Sequence, residues 1–218
     1  MAAPSTSLSK LIYTIPLSKG RMEALTDGIF AIAMTLLVLE LKVTDAPKSI
    51  SSSELLRLLG AQGTAFFSFG LSFLYCGLLW VMHHLAAHFF RYVQVGLAWF
   101  NLLFLMFISL LPFSCALLGH FLHNRAAQEI YFGNLFMAAL MLAAQWFFAK
   151  KRRLLNEDDP LAARALERRI AALPVALIVG MIGAFFNVNA GFWGFLIAIL
   201  ALRLWERKRF SAQRTPAS

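Results

Sequence analysis

Asp27 stands at the edge of an apolar run in Arg21-Met-Glu-Ala-Leu-Thr26-Asp27-Gly-Ile-Phe-Ala-Ile32-Ala-Met-Thr35-Leu36-Leu-Val-Leu39-Glu40, which carries no charge from Gly28 to Leu39. A carboxylate in or near a bilayer is costly, so it marks a functional site and needs partners. Arg21 lies nearly two helical turns earlier; the other candidates are Trp80, His83, His84 and Asn101, in two later apolar stretches. Together with Thr26 they read as a network that anchors the first helix to the second and third. The alternative is an interfacial cluster of amphipathic side chains. Glu23, Asp27 and the histidines include the groups of an acid–base pair. No nucleophile motif or Gly-rich phosphate loop accompanies them, so no enzyme is expected. His84 and His88 are four apart, as metal ligands on one helix face would be, but no nearby carboxylate or cysteine completes a set. Cys76 and Cys115 lie in apolar stretches and read as packing thiols.

The elements that must position these residues are membrane helices. Of 218 residues, 60% are hydrophobic, and the mean hydropathy is +0.69; soluble domains are nearer 45–50% apolar. The net charge of +9 would suggest nucleic acid in a soluble protein. Here the basic residues flank apolar spans, so topology explains them and no nucleic-acid partner is expected. Spans of about 20 apolar residues are expected at about 22–41, from the capping box at Ser51 and Glu54 to about 88, and at 92–118 with a kink at Pro112. Further spans follow at 128–149, 170–186 and 192–205. Asp159-Pro160 reads as a helix start, and the basic, amphipathic Leu161–Ala172 as a separate interfacial segment before the fifth span. The expected organisation is an N-terminal segment (1–21), a six-helix membrane domain (22–205) and a C-terminal tail (206–218). Six spans divide the 20 Lys and Arg residues 16 against 4, which places both termini in the cytoplasm.

On the first helix, Gly28, Ile32, Leu36 and Leu39 share one face, with Thr35 beside Leu36. By periodicity alone this is a lipid-facing or core face. The pattern Arg-x-x-x-Leu-Thr-Asp-Gly-Ile-Phe-Ala-Ile-x-x-Thr-Leu-Leu from Arg21 to Leu37 resembles the first-helix signature of the transmembrane protein 175 family, the endosomal and lysosomal potassium channels. Leu25-Thr26-Asp27 stands where most members have Phe-Ser-Asp. Trp80-Val-Met-His83-His84 and Asn101 resemble polar positions of the family's second and third helices. The chain is thereby identified as a prokaryotic member.

The resemblance implies an all-α fold of six transmembrane helices per chain, with the first lining a central pore in a symmetric homotetramer. It implies a potassium channel in the cell (inner) membrane, in contact with lipid and with no cofactor beyond the permeating ion. The constriction falls at Ile32, five positions after Asp27. In a fourfold assembly Leu36 and Leu39 would add apolar rings, which block ions by excluding water. Thr35 supplies the only side-chain oxygen between Gly28 and Leu39, so it is the candidate for selectivity; alternatively it bonds its own helix carbonyl one turn back. Glu40, at the outer end, would form an acidic ring at the pore entrance or a solvated helix end. No Thr-Val-Gly-Tyr-Gly filter and no arginine-rich voltage-sensing helix occur. The rival classes are a small secondary transporter, for which a discontinuous first helix would be expected, and a membrane structural protein.

Overall fold

The computed structural model describes residues 17–42, 49–156 and 158–186. All regular structure among them is helical: α1 Lys19–Leu36, continued by a 3-10 turn Leu37–Glu40, then α2 Ser52–Ala61, α3 Gly63–Phe89, α4 Val95–Ser109, α5 Leu111–His120, α6 Arg125–Lys151 and α7 Pro160–Phe186. Among the described residues, five segments are long and apolar enough to cross a membrane: 19–40, 63–89, 95–120, 125–151 and 160–186. The expected sixth span, 192–205, lies outside the described residues.

Several helix starts have a side-chain cap. Ser51 caps α2, its hydroxyl accepting from the Glu54 N–H, and Asn124 caps α6 by accepting from the N–H groups of Ala126 and Ala127. Asp159 caps α7 through Leu161 and Ala162. These caps take up donors that the first helical turn leaves without partners.

The second expected span is two helices. The chain turns at Gln62, between Gly60 and Gly63, so the exposed α2 is separate from the spanning α3. The third is also divided. α4 ends at Ser109 and α5 begins at Leu111, with Pro112 in its first turn, because proline lacks the N–H that would continue the ladder and its ring crowds the carbonyl one turn back. The Asn134 side-chain amide donates to the Phe107 carbonyl and to the Ser114 hydroxyl at this break, which keeps irregular backbone satisfied by protein within the bilayer.

The fifth span differs most from expectation. Leu161–Ala172 is not a separate interfacial helix; it is the first half of a continuous α7 of 27 residues, with Pro174 inside it. It is held to α6 by Glu167, whose carboxylate accepts from Lys150 Nζ at 2.7 Å and Trp146 Nε1 at 3.3 Å. At about 1.5 Å per residue, 27 residues span roughly 40 Å, more than a 30 Å hydrocarbon core.

One end of the bundle is tied by backbone bonds. Leu17 N–H donates to the Val93 carbonyl, Arg91 N–H to that of Leu154, and Asn156 N–H to that of Phe89. The start of α1, the α3–α4 loop and the α6–α7 loop therefore share one side, the grouping on which the 16 to 4 charge split rests. The core is built of large side chains, Trp146, Tyr131, Phe30, Phe104 and Phe132 among them. Small residues allow close approach elsewhere: a Cβ at Gly119 would lie 3.3 Å from the Ala65 Cα, where α5 meets α3.

Candidate functional site

Met22, Thr26, Phe30, Ala33 and Leu37 recur at helical spacing and are buried, so they form the inner face of α1. Phe30 meets Phe104 of α4 at 5.7 Å between ring centroids. Thr26 is the polar member of this face. Its hydroxyl donates to the Met22 carbonyl at 2.9 Å and accepts from Asn101 Nδ2 at 3.1 Å. Asn101 Oδ1 in turn pairs with His83 Nε2 at 2.9 Å. This distance makes His83 the donor at Nε2 when Asn101 is oriented to donate to Thr26. Thr26, Asn101 and His83 are all buried, so a three-helix chain of hydrogen bonds joins α1, α4 and α3. The His83 ring also stacks on Phe104 at 5.4 Å.

A second polar contact lies at the margin of the same junction. The Trp80 indole N–H donates to Asp27 Oδ1 at 2.8 Å, and His84 stacks on the Trp80 ring at 5.4 Å. His83 thus enters the buried chain of bonds, and His84 supports Trp80 from an exposed position. Residues 83 and 84 are about 100° apart on a helix, so one cannot replace the other. Arg21 is not brought to Asp27: it is exposed, lines a cleft of about 400 Å³ with Met22, Leu25 and Asn101, and makes no side-chain hydrogen bond or ion pair with a described residue.

The outer face of α1 is different. Ile32, Leu36 and Leu39 are 56%, 41% and 66% exposed, with Gly28 and Thr35 among them. No described helix of the same chain covers them. The Thr35 hydroxyl donates to the carbonyls of Ala31 and Ile32, at 2.9 and 2.8 Å. That bond uses the proton and leaves oxygen lone pairs, so back-bonding and acceptance of a cation are compatible roles. Glu40 closes the 3-10 turn and is part-exposed. Among the described residues no three His, Cys, Asp or Glu side chains are grouped to hold a metal.

Two residues of this junction escape a reading for polar partners alone. Phe104 is packed by both Phe30 and His83. Gln145 of α6 is fully buried beside His83, outside hydrogen-bond geometry. Its lone polar side chain in the apolar stretch Ala138–Ala149 was the available signal.

The sequence model of the family described as "Endosomal/lysosomal potassium channel TMEM175" matches residues 21–112, which contain all of this junction except Gln145. A potassium channel of Streptomyces collinus is 36% identical over 170 residues, covering 74% of this chain and 81% of the relative. The chain belongs to the TMEM175 family. The fold agrees: the crystal structure of a lysosomal potassium-selective channel TMEM175 homolog from Chamaesiphon minutus matches with a TM-score of 0.73 and 30% identity, covering 85% of this chain and 97% of that one. Among animal TMEM175 proteins, the endosomal/lysosomal proton channel of Rattus norvegicus is 41% identical over 103 residues, which is 44% of this chain and 20% of that protein. TMEM175 proteins are ion channels and not enzymes. The chain is accordingly a multi-pass, all-α membrane protein of a channel family.

Proposed function

We propose that this chain is a potassium-selective cation channel, in which four copies place the outer face of α1 around a central passive pore. The observation that carries this reading is the contrast within α1. One face is locked to α3 and α4 by packing and hydrogen bonds, and the other is apolar, carries one hydroxyl and is left uncovered by the described residues. Fourfold repetition turns Ile32, Leu36 and Leu39 into stacked apolar rings and Thr35 into a ring of four oxygens. The apolar rings form the constriction in place of a carbonyl filter, and Thr35 replaces part of the hydration shell of a passing cation. Glu40 concentrates cations at the entrance. Thr26, Asp27, Trp80, His83, His84 and Asn101 hold the helix in place without meeting the ion; Arg21, which has no described partner, stands apart from them.

The protein lies in the cell membrane with both termini cytoplasmic. The support is the basic split together with the three segments tied on one side by backbone bonds. Potassium flux driven by a diffusion potential tests the function, using purified protein in liposomes. Sodium and protons are the comparisons, because bacterial relatives are named potassium channels and animal ones proton channels. Uncoupled flux that prefers potassium is expected. Solute-coupled flux would favour a transporter, and no flux a structural protein.

A further inference from the structure

The outward face of α7 changes chemistry at one level. Its inner face, Leu166, Ile170, Leu173, Leu177, Gly180 and Ala184, is buried against the bundle. On the opposite side, exposed Arg164 and half-buried Arg168 are one turn apart, followed by Val175, Val179, Ile182 and Phe186, which are exposed. From Arg168 to Phe186 is 18 residues, a rise of about 27 Å, close to the 30 Å thickness of a hydrocarbon core. With Phe186 at the far edge of such a core, the two guanidinium groups would sit at headgroup level, on a helix that continues beyond it.

Among the described residues, the nearby acidic side chains are already engaged elsewhere. Glu167, the acidic neighbour in sequence, is turned to α6 and taken up by Lys150 and Trp146. Asp159 is occupied as the helix cap, and Asp158 is bonded by Asn156. Arg164 and Arg168 form no hydrogen bond or ion pair with any described residue. Lys151, Arg152 and Arg153, exposed where α6 ends, add to the same field.

We propose that Arg164 and Arg168 form a binding site for the headgroup of an anionic phospholipid, with the acyl chains lying along Val175, Val179 and Ile182. Residues four apart on a helix are neighbours, so the two forks can grip one phosphate from two sides, each with parallel N–H donors. A free anion would use the same forks but gain nothing from the apolar strip below them. Anionic lipid attracts a basic residue near its surface by about fivefold in affinity, so loss of both is expected to weaken binding by roughly 25-fold.

The test is a titration of the full-length protein in detergent with phosphatidylglycerol, phosphatidylcholine or inorganic phosphate, read by native mass spectrometry and by melting temperature. Phosphatidylglycerol is expected to bind and raise the melting temperature of the wild type; the other two are expected to do so weakly. Arg164→Gln with Arg168→Gln is expected to lower phosphatidylglycerol affinity roughly 25-fold while leaving the lipid-free melting temperature unchanged. Unchanged affinity in that variant overturns the proposal. Equal binding of phosphatidylcholine removes the preference for anionic lipid, and saturation by inorganic phosphate alone reassigns the site to a free anion; either result overturns it. If the glutamine variant does not accumulate, the double lysine variant keeps both charges and loses the forks. Its affinity is then expected to fall several-fold, and wild-type affinity would count against the site.

Discussion

The two faces of the first span, α1 with its 3-10 turn, use the same 22 residues in opposite ways. The inner face commits every polar atom it has: Thr26 gives its proton to its own helix and accepts from Asn101, which is paired to His83. The outer face commits only a proton, that of Thr35, and leaves its apolar side chains unpacked. An inner substitution should therefore be read as stability and an outer one as transport. A pore helix needs both properties, since side chains around an ion path position it only if the backbone behind them does not move.

The largest expected effect is on the inner face. Phe30→Ala removes a fully buried ring that packs on Phe104 and should cost about 3–5 kcal/mol. Loss of folded protein in detergent, seen as early-melting or aggregated material by size-exclusion chromatography, is the expected outcome. A well-folded variant with altered selectivity would mean that the inner face takes part in permeation.

Next is Asn101→Leu. It leaves the Thr26 hydroxyl and His83 Nε2 without their shared partner, at about 1–3 kcal/mol for each buried group left unpaired. Bonds between membrane helices are often worth less, about 0.6 kcal/mol on average, so the lower part of that range is expected. The melting temperature should fall while the variant remains folded at low temperature. A stability equal to wild type would show that the buried chain of bonds does not hold α1.

Smaller again is Trp80→Phe. The ring that stacks on His84 is kept in part, and the N–H bond to Asp27 is lost. Asp27 is exposed, so its carboxylate can regain water. A loss below about 1 kcal/mol is expected, measured by the same melting assay beside Asn101→Leu. If Trp80→Phe proved the more damaging of the two, the exposed contact and not the buried one would be the main anchor.

Much of this arrangement was legible in the residues. The caps at Ser51 and Asp159 follow from side chains that accept from the first helical turn, and Pro112 marks where the third span divides. The separation of α2 was not legible, because Gly60 and Gly63 are tolerated in membrane helices and only the turn at Gln62 makes them a boundary. Leu161–Ala172 misled for a physical reason: a basic amphipathic pattern fits both a helix lying on the membrane and one standing out of it. The contact of Glu167 with α6, which decides between them, is long-range. His83 and His84 are chemically identical in sequence, yet a signal existed. Ser68, Ser72, Cys76, Leu79 and His83 recur at helical spacing and are all buried, whereas His84 continues the exposed line of Trp80. The outer face of α1 was visible as a stripe, but one chain cannot say whether lipid or an ion path lies against it.

The reversal potential under bi-ionic potassium and sodium conditions tests that point most directly, for wild type, Ile32→Ala and Thr35→Ala. Both side chains are exposed and carry little of the packing, so each change should alter stability by less than about 0.5 kcal/mol. Ile32→Ala is expected to widen the constriction, raise the current and admit sodium. Thr35→Ala is expected to keep the current and move the reversal potential toward the non-selective value. Wild-type current and reversal potential in both variants would place the outer face of α1 against lipid and contradict the account.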